Sequence, residues 1–232
     1  REKSSYNTLF MGGPGTGKTT VARVMGRIFK AVGILRNGHV VEVNPLADLQ
    51  GQHLGETAPA TQTILAKALD GILFIDEAYL LASPAGSHAS LNNQETVGTL
   101  LKGLEDNRER LVVIAAGYRP DMERFLETNA GLHSRFPRQI DFSDYSDLEL
   151  VDIMRFFCQE RDLTMHESLA QPLAAQFARM KQAATPGSFG NARAVRNLLD
   201  EMQDNLAART VRKQTASREE MLTLLPEDLP QP

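Results

Sequence analysis

A doubly wound α/β fold, with a parallel sheet of five strands followed by a small all-helical region, is predicted for this chain by three observations. Short continuous apolar runs alternate with segments of helical periodicity as far as Phe142, the pattern of strands buried on both faces of a parallel sheet. A glycine cluster stands directly between the first strand and the first helix. From Asp144 onward the strand-like runs stop and helices follow one another.

In chain order, Thr8–Met11 is an apolar strand that enters the glycine cluster. Residues 18–33 carry helical spacing through Val21, Val24, Met25, Ile28 and Phe29, ending at Gly33. His39–Val43 alternates like a strand, and Thr57–Asp70 reads as a helix capped by Thr57 with Pro59 in its first turn. Ile72–Ile75 and Leu111–Ala116 are buried strands, residues 93–105 and 121–127 are helices, and Arg138–Phe142 is the fifth strand. Ser146-Asp147-Leu148-Glu149 is a capping box, in which serine and glutamate satisfy each other's free backbone N–H, and it opens a helix to about Glu160. Two further helices, residues 167–180 and 192–208, flank Thr185-Pro186-Gly187-Ser188. The division is therefore an α/β region, 1–143, and a helical region, 144–232, with a frayed end from Leu225.

Composition narrows the classes. The 232 residues suffice for one to two domains with a core of their own. Apolar residues make up 42% and charged residues 23%, which excludes a disordered or low-complexity chain. The longest apolar run, near 111–117, is far short of the roughly 20 residues of a membrane-spanning helix, so no membrane insertion is expected. With 25 basic and 29 acidic residues the net charge is -4, which disfavours a nucleic-acid partner. The single cysteine, Cys158, cannot form an internal disulfide and fits a reducing, cytoplasmic setting. No signal peptide is present, and because the chain starts at Arg1 rather than Met it reads as a fragment lacking an N-terminal segment.

Gly12-Gly13-Pro14-Gly15-Thr16-Gly17-Lys18-Thr19 fits G-x-x-x-x-G-K-[ST] between a strand and a helix. Its glycines let backbone N–H groups converge on phosphate oxygens, and the helix N-terminus adds partial positive charge. The phosphates of a nucleotide are thus expected to bind Gly13, Pro14, Gly15, Thr16, Gly17, Lys18, Thr19 and Thr20, with Lys18 at the β- and γ-phosphates and the Thr19 hydroxyl on Mg²⁺. The strand Ile72-Leu73-Phe74-Ile75 ends in Asp76-Glu77. Asp76 is expected in the magnesium shell and Glu77 beside a water in line with the γ-phosphate, an arrangement for hydrolysis.

The phosphate loop, the string Phe74–Tyr79 (FIDEAY) and the helical tail resemble an AAA+ ATPase. More narrowly, Gln52–Pro59 (QHLGETAP), residues 111–136 and Phe189–Asn197 (FGNARAVRN) resemble a clade holding the red-type Rubisco activases, the stage V sporulation K-like proteins and the ATPases of type VII secretion, with motifs most like the last. The resemblance implies a hexameric ring that binds ATP between subunits. It implies that Arg135 is a finger reaching the neighbour's γ-phosphate, with Arg138 or His133 able to share the role, and that Arg193 is the sensor arginine of the lid. Arg196, one turn on, is expected to be structural.

Two positions depart from the wider family pattern. Tyr118 stands where an asparagine usually orients the attacking water; it is either that sensor or a packing residue. His53 stands in the pore loop where the activases carry tyrosine, so its grip on a client chain is expected to be weaker, unless it merely caps the next helix. The expected function is ATP hydrolysis coupled to remodelling or threading of a protein client, in a type VII-like secretion setting. The alternatives are a Rubisco activase-like remodeller and a nucleotide-gated assembly scaffold with slow hydrolysis; a nucleic-acid motor is disfavoured by the charge balance.

Overall fold

The computed structural model describes residues 6–51, 55–82, 88–213 and 215–230. They form two compact units. One contains the chain up to Gly12 together with Gly17–Phe142; the other contains Gly13–Thr16 together with the chain from Ser143 onward.

The first unit runs β1 (Thr8–Gly12), α1 (Lys18–Ala31), β2 (Val40–Val43), α2 (Pro45–Asp48), α3 (Thr57–Ala68), β3 (Gly71–Ile75), α4 (His88–Asp106), β4 (Leu111–Gly117), α5 (Arg119–Glu127), α6 (Ala130–Arg135) and β5 (Arg138–Phe142). The five strands form one parallel sheet in the order β2-β3-β4-β1-β5. The chain leaves β1 for the edge strand β2, steps back through β3 and β4, and then passes β1 to reach β5. The exits of β1 and β4 therefore lead in opposite directions, and this switch point is where open α/β sheets hold ligands, at the carboxyl ends of the strands.

Successive side chains of a strand point to opposite faces, and both faces are filled here. Leu9, Met11, Leu73, Ile75, Val113 and Ala115 share one buried cluster with residues of α3, α4, α5 and α6. Phe10, Ile72, Phe74, Val112, Ile114 and Ala116 share another with Ala22 of α1 and Leu35. Full burial of each large apolar side chain contributes about 1.5–3 kcal/mol, so selection for apolar residues acts on every position. β5 differs: Arg138, Gln139, Ile140 and Asp141 are exposed, the polar character that discourages edge-to-edge pairing. On the α1 side, a Cβ on Gly26 would lie 2.3 Å from the Gly38 carbonyl oxygen, so the helix packs backbone to backbone against the segment entering β2.

Several boundaries correct the sequence reading. Thr57 is not a cap but the first residue of α3; its fully buried hydroxyl oxygen accepts from Gly51 N at 3.3 Å. The short α2 was not expected, although Asn44 caps it by accepting from Leu46 N and Ala47 N, because four residues carry no readable periodicity. In the turn at 108–110, Arg110 donates to both carboxylate oxygens of Asp70 at 3.0 and 2.6 Å.

The second unit contains α7 (Asp147–Glu160), β6 (Thr164–Met165), α8 (Ala170–Ala183), α9 (Ala192–Arg212), α10 (Arg218–Leu222) and β7 (Thr223–Leu224), around a core that includes Leu150, Met154, Leu173, Phe177, Val195 and Leu199. It is not all-helical, since β6 and β7 pair in parallel. Nor does it fray at Leu225. Pro226–Asp228 forms a 3₁₀ turn, and Asp228, 1% exposed, accepts from Arg209 at 2.8 and 2.9 Å and from Leu225 N at 2.8 Å. Both features depend on partners more than ten residues away.

Two predictions follow from this packing. Asp228→Ala leaves the half-buried Arg209 guanidinium without its bidentate partner and should cost about 3 kcal/mol in chemical denaturation of this unit. At the start of α7, the Ser146 backbone N–H and then its hydroxyl hold the Glu149 carboxyl below its usual range. A depressed carboxylate pKa stabilises the fold above the ordinary carboxylate range, and that contribution is lost as pH falls through the depressed value. The gap in Tm between the protein and Glu149→Gln should therefore be open at pH 7 and close below about pH 4.

Candidate nucleotide site

The residues predicted to bind nucleotide fall in both units. In the second, Gly15 takes a left-handed φ of +68°, and a Cβ there would lie 2.1 Å from the Gly190 carbonyl oxygen, so only glycine fits. The Thr16 hydroxyl donates to the Gly13 carbonyl at 2.9 Å. Tyr145 and Asn191, which the sequence reading does not single out, bond this same segment. Asn191 lies in the quoted string FGNARAVRN, but its buried side chain could not be foreseen from spacing.

In the first unit, Gly17, with φ 91°, precedes α1 and supplies no side-chain cap, and the N-terminus of α1 carries the partial positive charge that favours an anion. Lys18 begins the helix, and its Nζ donates to the Gly12 carbonyl at 3.0 Å. Thr20, two residues on, is exposed. A Cβ on Gly12 would lie 2.3 Å from the Phe142 carbonyl oxygen, which keeps β1 tight against β5 up to the loop.

Asp76 N donates to the Val43 carbonyl at 3.0 Å, so the parallel pairing with β2 continues one residue past β3. Asp76 Oδ1 then accepts from Glu77 N at 3.1 Å, and Glu77 turns the chain with a left-handed φ of 53°. Thr19, Asp76 and Glu77 line one open cavity of about 250 Å³, together with Glu42, Val43, Asn44 and Phe74. A hydroxyl and a carboxylate are hard oxygen donors, the set that Mg²⁺ takes when phosphate and water complete its octahedron, so the residues present fit the ion.

Tyr118 follows β4 and precedes α5; its ring packs on that of Tyr79 with centroids 6.1 Å apart. Burial first, and then the neighbouring Glu77 carboxylate, push the Tyr79 phenol up to about 12, so it remains a protonated donor at neutral pH. Gly117 makes room for this pair, since a Cβ there would lie 2.8 Å from both Tyr79 Cδ1 and Met122 Sδ. Tyr79 closes the FIDEAY string, and its proximity to Glu77 arises from the 3₁₀ turn Ala78–Leu81.

Arg135 is the last residue of α6. Its guanidinium is 2.8 Å from Glu105 Oε2 at the end of α4, and its Nε is buried with no hydrogen-bond partner among the described residues. His133 is exposed on the same turn, and Arg138 stacks over Tyr6 at 4.9 Å. Arg193 is exposed in the first turn of α9, whereas Arg196 lies over Phe157 at 5.0 Å. His53 lies outside the described residues.

Comparison with known proteins bears on the same residues. Residues 8–144 match the ATPase family associated with various cellular activities (AAA), and residues 146–232 match the AAA lid domain. The chain is 40% identical to the ESX-3 secretion system protein EccA3 of Mycobacterium tuberculosis over 97% of its own length and 38% of that relative's. It is 37% identical to stage V sporulation protein K of Bacillus subtilis, covering 98% of this chain and 69% of the other. It is 45% identical to protein CfxQ of Xanthobacter flavus, covering 86% and 61%. The chain thus spans well under half the length of EccA3. With a phosphate loop after β1, an Asp-Glu pair after β3 and a matching lid, the chain belongs to the ATPase family associated with various cellular activities, in the group that includes EccA3, stage V sporulation protein K and CfxQ.

Proposed function

We propose that this chain hydrolyses ATP and that, as a hexameric ring in the cytoplasm, it uses the reaction to remodel a protein client. The observation that carries the hydrolytic reading is the cavity in which Thr19, Asp76 and Glu77 meet at the end of β3. A nucleotide switch without hydrolysis needs the first two; the second acid is what a water-activating base requires.

Each residue then has a role set by its chemistry. Thr19 and Asp76 would hold Mg²⁺, which neutralises charge on the phosphate oxygens when bound. Lys18 supplies a compact positive charge to the β- and γ-phosphates. Glu77 orients and deprotonates the attacking water, and the left-handed backbone at Glu77 fixes the direction from which it does so. Tyr118 serves as the polar sensor beside that base, with Tyr79 packed against it. Arg135 acts in the neighbour's site, where a guanidinium offsets charge on the transferring phosphoryl group, and Arg193 reports the γ-phosphate to the lid. The loop around His53 contacts the client. The likeness to EccA3, named as an ESX-3 secretion system protein, supports a client connected with secretion.

Glu77→Gln should lower ATP turnover about 10²–10⁴-fold while ATP still binds. If turnover in that variant equals that of the parent, Glu77 is not the base. Turnover per subunit should climb with protein concentration as rings assemble, and Arg135→Ala should flatten that climb at a low plateau. Flat, substantial turnover in the parent would remove Arg135 from the neighbour's site.

A further inference from the structure

Three successive carbonyls of the phosphate loop are held from outside the loop. Asn191 Nδ2 donates to Pro14 O at 3.1 Å, Ala192 N donates to Gly15 O at 3.1 Å, and the Tyr145 hydroxyl donates to Thr16 O at 3.1 Å. Asn191 is fully buried. Its Oδ1 accepts from Tyr145 N at 3.0 Å, and its Nδ2 also faces Asp144 Oδ1 at 2.8 Å and Phe189 O at 3.0 Å. The backbone of Asn191 sits at φ 46°, ψ −123°, a region that a residue with a side chain rarely takes, so the surrounding bonds over-determine it.

The peptide unit is planar and trans, so the C=O of one residue and the N–H of the next point in opposite directions. Holding Pro14 O, Gly15 O and Thr16 O therefore fixes the directions of the Gly15, Thr16 and Gly17 N–H groups, each away from the donor that holds its carbonyl. Among the described residues none of these three N–H groups has a protein acceptor. A run of amides held in this way suits the oxygens of a phosphate chain.

We propose that Tyr145 and Asn191 are positioning residues of the nucleotide site, which set the phosphate loop's amides for phosphate by gripping its carbonyls. This rests on the reading of Gly13–Thr19 as an ATP-binding loop. Neither side chain touches the nucleotide; both act through the backbone. Asn191 stands two residues before Arg193, so a shift in the first turn of α9 alters the loop's amides. By linkage, phosphate binding must strengthen the same grip in equal measure.

The test uses the full chain with a fluorescent ATP analogue, inorganic pyrophosphate as competitor, and thermal unfolding without nucleotide. Tyr145→Phe deletes one hydroxyl and keeps the ring; Asn191→Asp keeps the shape and deletes the Nδ2 donors; Asn191→Gly removes the backbone strain together with the side chain. Each should weaken both ATP and pyrophosphate by about three- to tenfold, the range for loss of one net hydrogen bond, with the nucleotide-free Tm of Tyr145→Phe lowered by no more than about 2–4 °C. Hydrogen exchange should show that pyrophosphate protects residues 15–17 less in Tyr145→Phe than in the parent. Affinities within twofold of the parent in Tyr145→Phe and either Asn191 variant would overturn the positioning role. A parent chain that binds neither ligand would instead overturn the nucleotide-site reading itself.

Discussion

The approach of Gly15 to Gly190 is the constraint on which the phosphate loop's shape depends. With a Cβ at Gly15 the two backbones could not come together, because that atom would fall 2.1 Å from a carbonyl oxygen. Once they do, Ala192 N reaches Gly15 O, and Asn191 and Tyr145 reach the carbonyls on either side. The glycines of such loops are usually credited with letting phosphate approach. Here one of them also admits a second backbone on the opposite side.

In the first unit the corresponding constraint is register. Ile75 pairs with Ala115, Ala116 with Phe10 and Met11 with Gly117, which brings β3, β4 and β1 to an end within three residues of one another. Asp76 extends the pairing with β2 by one bond, and the left-handed turn at Glu77 then ends the strand. The second acid is thereby set off from the first despite being its neighbour in sequence. Two carboxylates in succession can serve different functions for this reason: one continues the strand, and the other begins a turn.

The pairing of Arg135 with Glu105 gives the proposed trans finger a defined position before any neighbour is present. Glu105 Oε2 takes Arg135, while Oε1 lies 3.8 Å from Arg108, so one carboxylate is shared by two guanidiniums on the surface. An exposed pair of this kind is worth little in stability. It does restrict the rotamers of a long side chain, which lowers the entropy lost when the arginine engages a phosphate.

The five strands, the phosphate loop, the Asp76-Glu77 pair and the capping box at Ser146 could be read in the sequence because each follows from local rules: two-faced burial leaves continuous apolar runs, amide convergence needs glycine, and a helix start needs a cap three residues from its partner. The two-residue strands β6 and β7, the anchored turn at Asp228 and the four-residue α2 could not, since elements so short carry no period and are held by residues distant in sequence. The same holds within the candidate site. Sequence identified Lys18, Thr19, Asp76 and Glu77 by type and spacing, and named Arg135 and Arg193 by resemblance. Only the tertiary structure placed Tyr79 beside Tyr118, Glu105 on Arg135, and Tyr145 and Asn191 on the loop carbonyls. These contacts join positions up to 177 residues apart, and no local pattern encodes which distant backbone oxygen a buried amide will meet.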